Sequence, residues 1–230
     1  MDEQTLNDNI SKLLERVGRS AQKSQFGNSD ILALAASKTR SPAEVAAAYH
    51  CGLRHFGENY VQEGVDKIIA LRELDICWHF IGPIQSNKTR AIAQHFDWVH
   101  SVDRLKIAKR LSEQRPAGSR PLQLCLQVNI SQEESKSGVS LEALPALASA
   151  VAGLPGIQLR GLMAIPAPSD NFEDQRAAFA PLREALEALR GDLPNLDTLS
   201  MGMSGDLEAA ICEGATIVRV GTDIFGPRPR

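Results

Sequence analysis

The sequence predicts an α/β protein, a single (β/α)8 barrel of TIM type with an extra N-terminal helix. Two observations predict this class. Eight strand-like apolar runs alternate with helix-like runs along the 230 residues, as in parallel sheets covered by helices. Apolar residues make up 43% of the chain but aromatic residues only 5%, so we expect a core of Leu, Ile, Val and Ala. An open flavodoxin-like sheet needs only about five strands, so eight units favour the closed barrel.

The first element is an amphipathic helix within residues 1–24, which we expect to pack on the barrel. Gly27 and Asn28 then interrupt the helical pattern. Apolar residues recur in this helix at spacings typical of one buried face: Leu6, Ile10, Leu13, Leu14 and Val17.

Strands and helices then follow in strict alternation. Ser41, Pro42 and Glu44 form a strong start for the first barrel helix, because Ser is a good N-cap and Pro fits the first turn. Asp103 is expected to start a later helix. The predicted strands are Ile31–Ser37, Arg54–Gly57, Cys77–Ile81, Trp98–Ser101, Leu122–Val128, Ile157–Met163, Thr198–Ser200 and Thr216–Val220. After the Ser41 helix, the predicted helices are Tyr60–Leu74, Lys88–His95, Leu105–Gln114, Leu141–Val151, Glu173–Leu189 and Asp206–Glu213.

Composition restricts the class of partner. The chain has 25 Lys and Arg against 28 Asp and Glu, a net charge of −3, which argues against nucleic acid or a membrane surface as partner. No apolar run reaches the about 18 residues of a membrane span, and the start of the chain is unlike a signal peptide. We therefore expect a cytoplasmic protein with a small-molecule ligand. No linker divides residues 1–230, so we expect one domain.

Cysteine and histidine spacing gives no metal motif. The cysteines form no C-x-x-C pair, so we expect reduced, mostly buried thiols. Zinc ligation is the alternative, but no histidine pair has H-E-x-x-H spacing, and we expect no metal. The residues concerned are Cys51, Cys77, Cys125 and Cys212, with His50, His55, His79, His95 and His100.

The loops after the seventh and eighth strands are rich in small residues and hydroxyls. These are Ser200–Asp206 and Val220–Gly226. In β/α barrels a phosphate often binds at these two loops, because exposed backbone N–H groups attract anions. Such glycines can also serve only as turn formers.

Lys38 and Arg219 are the candidate binding side chains. Lys38 directly follows the first strand, at the rim where barrel sites lie, and is either a Schiff-base amine or a solvated residue beside Arg40. Arg219 alternates with Val218 and Val220, so it points into the barrel if those valines face the helices, and outward otherwise. An inward arginine needs an acceptor. Together with a phosphate site, these residues suggest pyridoxal phosphate (PLP), with lysine at the aldehyde and arginine at the ring nitrogen.

Two other residues are weaker candidates. His79 and Tyr60 lie near predicted strand ends, where a general acid or base is expected. We interpret His79 as a hydrogen-bonded interior histidine and Tyr60 as a residue whose ring packs at a helix start.

Seven segments resemble the pyridoxal phosphate homeostasis proteins over nearly the whole chain. They are Ala36–Thr39, His55–Glu63, Trp78–Lys88, Ser135–Val139, Arg160–Met163, Leu199–Ser204 and Val218–Gly226. The resemblance implies the barrel of the alanine racemase N-terminal domain, PLP bound as an aldimine, and no established turnover. It implies a role in keeping free PLP low and supplying the cofactor.

The resemblance also implies a role for each matching residue. Lys38 would be the Schiff-base lysine, Asn59 would pack beside the cofactor ring, and Arg219 would face the pyridine nitrogen. The phosphate would be held by Ser204, Gly221 and Thr222. Lys136 is either a second contact for PLP or a solvated loop residue.

These roles predict a binding protein, not an enzyme. An arginine at the ring nitrogen leaves that nitrogen unprotonated and weakens the electron sink, and racemases with such an arginine take a second base from an added domain. PLP-dependent apoenzymes are possible recipients, and we expect a monomer. The alternatives are a small PLP-dependent racemase or lyase, a Schiff-base aldolase, and an interaction scaffold without a ligand.

Overall fold

The computed structural model describes residues 2–26, 30–131 and 137–227 and forms a closed barrel of eight parallel strands in sequential order. The predicted fold class is confirmed. Gly27 and Asn28 lie outside the described residues, as do Ser135 and Lys136. The strands are β1 (Leu32–Ala36), β2 (His55–Glu58), β3 (Cys77–Phe80), β4 (Trp98–Val102), β5 (Leu122–Gln127), β6 (Ile157–Met163), β7 (Thr198–Ser200) and β8 (Ile217–Val220).

Helices surround the strands and match the predicted segments, except that α3 ends at Ala70 rather than Leu74 and α6 begins at Leu144 rather than Leu141. The last helix lies in the loop predicted after the eighth strand, and a 3-10 turn over Ser86–Lys88 precedes α4. The helices are α1 (Glu3–Lys23), α2 (Pro42–His50), α3 (Val61–Ala70), α4 (Thr89–His95), α5 (Leu105–Gln114), α6 (Leu144–Ala152), α7 (Phe172–Leu189), α8 (Leu207–Cys212) and α9 (Thr222–Phe225).

Helix starts show where local signals hold. At α2 the Ser41 hydroxyl accepts from Glu44 N–H, and the Glu44 carboxylate accepts from Ser41 N–H. This capping box satisfies two backbone donors and confirms the predicted start. At α5 the expectation is wrong, because Arg104 is the N-cap and Asp103 pairs with the Arg104 guanidinium.

The core lies between the sheet and the helices. Its largest fully buried side chains include Phe56, Phe80, Phe96 and Phe179, among many Leu, Ile and Val residues. Each such side chain contributes about 1.5–3 kcal/mol relative to an exposed position. Of the cysteines only Cys125 is fully buried, whereas Cys51, Cys77 and Cys212 are partly exposed free thiols. The expectation that most of the thiols are buried is therefore wrong.

Helix α1 packs its apolar face against α8 and α9. Leu6, Ile10, Leu13 and Val17 are buried there, while Leu14 is half exposed. The extra N-terminal helix thus packs beside the loops that follow β7 and β8. No helix within the described residues combines the length and apolar character that a membrane span requires.

Candidate functional site

A cavity of about 220 Å³ lies at the carboxyl ends of β1, β7 and β8. Three cationic side chains line it, Lys38, Arg40 and Arg219. Its described lining includes no carboxylate, and the other lining residues are Ala36, Met203, Ser204, Gly205, Gly221, Thr222 and Gly226. A cationic pocket with hydroxyls and small residues suits an anionic ligand such as a phosphate ester.

Lys38 lies two residues beyond β1, and hydrogen bonds fix the backbone on both sides of it. Ser37 N–H donates to Gly57 O over 2.9 Å, and Thr39 N–H donates to Glu63 Oε1 over 2.6 Å. Thr39 has φ 66°, and no other non-glycine residue within the described ranges has a positive φ. Since such a conformation costs about 1 kcal/mol or more, the bond to Glu63 offsets strain next to Lys38.

A buried ionic cluster anchors this segment. Lys67 Nζ donates at 2.7 Å to Ser37 O, Glu58 Oε1 and Glu63 Oε1. Glu58 is fully buried and also accepts from Ser37 Oγ at 2.6 Å. Burial raises the pKa of Glu58, while Lys67 and Ser37 favour its charged form. The cluster therefore holds the chain on either side of Lys38 in one conformation.

Arg219 points from β8 into the barrel, which is the inward of the two orientations that the sequence left open. Its Nη1 donates to Ser200 O at 2.6 Å and to Ser200 Oγ at 2.8 Å, and its Nη2 donates to Ala164 O at 3.0 Å. Burial lowers the pKa of Arg219 to about 10, although Asp206 favours the charged form. Arg219 is therefore a cation at neutral pH, and its hydrogen bonds go to neutral oxygens.

Comparison with known proteins places the chain in a family. The family model described as the alanine racemase N-terminal domain matches residues 28–229. The pyridoxal phosphate homeostasis protein of Pseudomonas aeruginosa is 59% identical, over 97% of this chain and 96% of that protein. The protein of the same name from Escherichia coli K12 is 51% identical, over 97% and 94%. The chain belongs to the pyridoxal phosphate homeostasis protein family. The resemblance found in the sequence is confirmed.

A solved structure of a relative contains the cofactor. PipY of Synechococcus elongatus PCC7942, with PLP bound, is 36% identical to the chain and superimposes with a TM-score of 0.84. The match covers 96% of this chain and all of that one. This family member therefore shares its whole barrel with a protein that binds PLP.

Most of the predicted site residues meet at the cavity of this family member. Lys38, Ser204, Arg219, Gly221 and Thr222 all line it. Strands β7, β8 and β1 are neighbours in the closed barrel, so Lys38, which follows the first strand, lies beside the loops that follow the last two strands.

Asn59 lies apart from these five residues. It follows β2 directly and is not among the described residues that line the cavity. Its Oδ1 atom is buried and has no hydrogen-bond partner among the described residues. Lys136 lies outside the described residues.

Two glycines allow the loops to approach this cavity. A Cβ on Gly221 would lie 3.1 Å from Ala36 O, tighter than ordinary packing. Gly202 has φ +94°, and a Cβ there would lie 2.6 Å from the Cβ of Ala210. Any larger residue at position 202 would displace α8 and the loop that carries Ser204.

A chain of hydrogen-bonded side chains crosses the barrel interior from Arg219. Ser200 Oγ lies 2.7 Å from His100 Nδ1, His100 Nε2 lies 2.9 Å from His79 Nδ1, and His79 Nε2 lies 2.9 Å from His55 Nδ1. Burial lowers the pKa of His79 well below its usual value. Burial, together with the charge of Arg219, lowers that of His100 to about 3. Both are neutral at pH 7, and His79 is confirmed as an interior histidine.

Tyr60 differs from its predicted environment. It is the N-cap residue of α3, but its side chain is 58% exposed. The expectation that its ring packs at the helix start is wrong. Neither Tyr60 nor His79 is among the described residues that line the cavity.

Arg16, which no sequence signal indicates, and Arg40, which the sequence indicates only as a neighbour of Lys38, hold the loops around the cavity in place. Arg16 on α1 donates to Ser204 O over 3.2 Å and to Glu208 Oε1 over 2.9 Å, and it pairs with Asp223. Arg40 donates to Gly226 O over 2.7 Å. These contacts join residues about 190 positions apart in the sequence, so no local spacing signals them. Helix α1 therefore ties together the loops after β7 and β8.

Proposed function

We propose that this chain binds PLP in the cavity between Lys38 and Arg219 and acts in intracellular PLP homeostasis or cofactor supply, without turnover of its own. The charge of the cavity carries the proposal, because three cations and no carboxylate among the described lining residues suit the phosphate and phenolate of PLP. The names of the two bacterial relatives and the PLP bound to PipY also support it.

Each lining group has a role in this proposal. PLP supplies an aldehyde carbon that a lysine amine attacks, and Lys38 is the amine at the cavity. Ser204 and Thr222 offer hydroxyls, and Gly221 a closely approaching backbone, to the phosphate. Arg219 faces the ring nitrogen. Asn59 packs beside the ring from the neighbouring strand end.

Two features favour binding over catalysis. Arg219 keeps its own proton at neutral pH, so it leaves the ring nitrogen unprotonated and the electron sink weak. In addition, no histidine, tyrosine, cysteine or carboxylate is among the described lining residues of the cavity. A racemase or lyase, the second candidate, needs a general base besides the lysine.

The same proposal includes the domain organisation, the oligomeric state, the location and the recipients of the cofactor. Residues 1–230 would form one PLP-binding domain with its N-terminal helix packed on the barrel. The protein would act as a monomer in the cytoplasm. PLP-dependent apoenzymes would receive the cofactor.

Absorbance and mass spectrometry test the binding site. Adding PLP to purified protein should produce a visible absorption band, and borohydride should fix the cofactor on the peptide that contains Lys38. Lys38→Ala should fold normally and lose both signals, whereas Lys106→Ala, an exposed lysine on α5, should keep them. A band of unchanged strength in Lys38→Ala would show that another lysine binds PLP.

Turnover assays separate the two candidate functions. PLP-loaded protein incubated with single amino acids should show no racemisation or elimination near the about 1 per second of ordinary enzymes. Turnover at that rate, lost in Lys38→Ala, would replace the homeostasis proposal with the enzyme.

A further inference from the structure

Three side chains of types that commonly ligate metals meet on the inward face of the barrel, near the amino ends of β2 and β3. His55 is the first residue of β2, and its register partner on β3 is Cys77. His79 lies two residues further along β3, on the same face of that strand as Cys77. This cluster lies at the opposite end of the strands from the Lys38 cavity, and the proposed PLP site uses none of it.

Two of the three separations between donor atoms are close to those of a metal site. Cys77 Sγ lies 3.5 Å from His79 Nε2, His55 Nδ1 lies 2.9 Å from His79 Nε2, and all three lie within 4.8 Å of one another. Around a tetrahedral zinc ion, with bonds of about 2.0–2.3 Å, donor atoms lie about 3.3–3.6 Å apart. On metal binding, His55 Nδ1 and His79 Nε2 would therefore move apart by less than about 0.5 Å.

Supporting contacts already orient His79. Its Nδ1 lies 2.9 Å from His100 Nε2, and its ring stacks on Trp98 with the centroids 5.5 Å apart and the planes at 13°. A ligating histidine commonly uses its second nitrogen for such a hydrogen bond, which fixes the ring and the tautomer. With the His79 proton on Nδ1, Nε2 directs its lone pair towards Cys77 and His55.

The cluster also has access to water. Cys77 lines a cavity of about 400 Å³, together with Asp75, Asp97 and three arginines. Both carboxylates raise the pKa of the Cys77 thiol through their charges, after the larger effect of burial. At the sulfur itself the charges that act are those of Asp97 and Asp75, which favour a cation there, and the cavity has room for a water molecule at an open coordination position.

We propose that His55, Cys77 and His79 form a binding site for a divalent metal ion of the zinc class, with water as the fourth ligand. Two imidazoles and a sulfur bind zinc in preference to harder cations such as magnesium. On binding, the Cys77 thiol releases its proton to solvent and its sulfur bonds to the metal. The hydrogen bond between His55 Nδ1 and His79 Nε2 breaks, the His55 proton moves to its Nε2 by exchange with solvent, and both imidazoles bind as neutral rings through unprotonated nitrogens. No oxidation or reduction takes place.

Metal titration of untagged, chelator-treated protein without PLP tests this site. Zn²⁺ should bind with one ion per chain, and Co²⁺ should give a visible spectrum with a sulfur-to-metal band. Cys77→Ser and His55→Ala should each raise the Kd for Zn²⁺ more than about 100-fold, beyond the usual cost of losing a supporting contact. Cys51→Ser, a partly exposed cysteine at the end of α2, should leave the Kd unchanged.

Thiol protection in the unsubstituted protein provides a test that needs no variant. Zn²⁺ should slow alkylation of Cys77 at least tenfold and leave Cys212 unaffected. The proposal is wrong if Zn²⁺ protects neither thiol, if it protects both equally, or if the Kd is the same in wild type, Cys77→Ser and His55→Ala.

Discussion

Lys67 and Arg219 are both buried cations near the carboxyl end of the barrel, but their surroundings differ. Lys67 is 3% exposed and contacts two carboxylates, Glu58 and Glu63. Arg219 is 5% exposed, and its hydrogen bonds go to two carbonyls and a hydroxyl. Among the ion pairs of the described residues, Arg219 takes part in none.

This difference indicates a structural role for Lys67 and a ligand-binding role for Arg219. Removing a charge from water costs several kcal/mol, and at Lys67 the two carboxylates compensate this cost within the protein. At Arg219 neutral oxygens compensate only part of it, and the cation lines the cavity beside Lys38. Lys67 therefore stabilises the Ser37–Thr39 backbone, whereas Arg219 is a charge that a ligand can use.

The largest expected effect follows from removing Lys67. Lys67→Met leaves the fully buried Glu58 without its cation, and breaking a buried ion pair costs about 3–5 kcal/mol. Urea unfolding at pH 7 should show a loss of this size. Lys12→Met, at an exposed position on α1, should change the free energy of unfolding by less than about 0.5 kcal/mol.

A double variant checks that the loss arises from the carboxylate. Glu58→Gln removes the charge that Lys67 neutralises, so Glu58→Gln/Lys67→Met should be at least about 1 kcal/mol more stable than Lys67→Met alone. Equal stability of the two variants would show that packing, not charge, explains the loss.

The pH dependence of the free energy of unfolding reports the protonation state of His100, which lies near Arg219. The folded pKa of His100 is lowered to about 3 by burial and by Arg219, below about 6.5 in the unfolded chain. Between pH 7 and pH 5 the unfolded state therefore binds a proton that the folded state does not, and stability falls as the pH falls. One such histidine contributes about 2 kcal/mol over this range.

Comparing wild type with His100→Gln isolates this contribution. Between pH 7 and pH 5 wild type should lose about 2 kcal/mol more than His100→Gln. His50→Gln, at an exposed histidine, should follow wild type. Identical pH profiles for wild type and His100→Gln would mean that His100 is not held neutral in the folded protein.

Removal of Arg219 should cost far less stability than removal of Lys67. Arg219→Met removes the donor to Ala164 O and one of the partners of each Ser200 oxygen, which keep Ala164 N–H and His100 Nδ1 as neighbours. The loss of the donor to Ala164 O costs about 1–3 kcal/mol, but the substitution also relieves the burial of a cation without a carboxylate partner. We expect a net loss of about 1 kcal/mol or less in urea unfolding without PLP. A loss as large as that of Lys67→Met would contradict the contrast between the two sites.

An exposed ion pair sets the lower limit of the comparison. Arg72 and Glu73 form a contact of 3.1 Å with both side chains more than three-quarters exposed. Solvent screens such a pair, so Arg72→Ala should change stability by less than about 0.5 kcal/mol. A larger loss in urea unfolding would show that exposed ion pairs also contribute strongly to the stability of this protein, and the contrast with the buried cations would then fail.

The sequence predicts the barrel because its signals are local. Strands β6 and β7 have the predicted bounds, and the capping box of α2 follows from Ser41 and Glu44. Helix α3 ends at Ala70, before the predicted Leu74, and the short helix α9 was not predicted. Its four residues are too few for a helical repeat to be recognised.

The candidate site is predictable only in part. Lys38 and the loop residues follow strand ends, so the fold alone indicates them. The Lys67 cluster and the histidine chain depend on which side chains meet across the barrel. The pairing of His55 with Cys77 requires the register of β2 and β3, which neither strand specifies alone. The contacts of Arg16 depend on how α1 docks, and no periodicity records that.

The affinity of Arg219→Met for PLP, compared with that of wild type, tests most directly whether the charge of Arg219 contributes to PLP binding. Titration at pH 7, followed by absorbance, should show a Kd at least about tenfold higher in Arg219→Met, a loss of about 1.4 kcal/mol. Arg40→Met, the other arginine at the cavity, should weaken binding less, because Arg40 already pairs with Glu44 and Gly226 O. The same Kd in wild type and Arg219→Met would contradict a cavity in which Arg219 binds the cofactor.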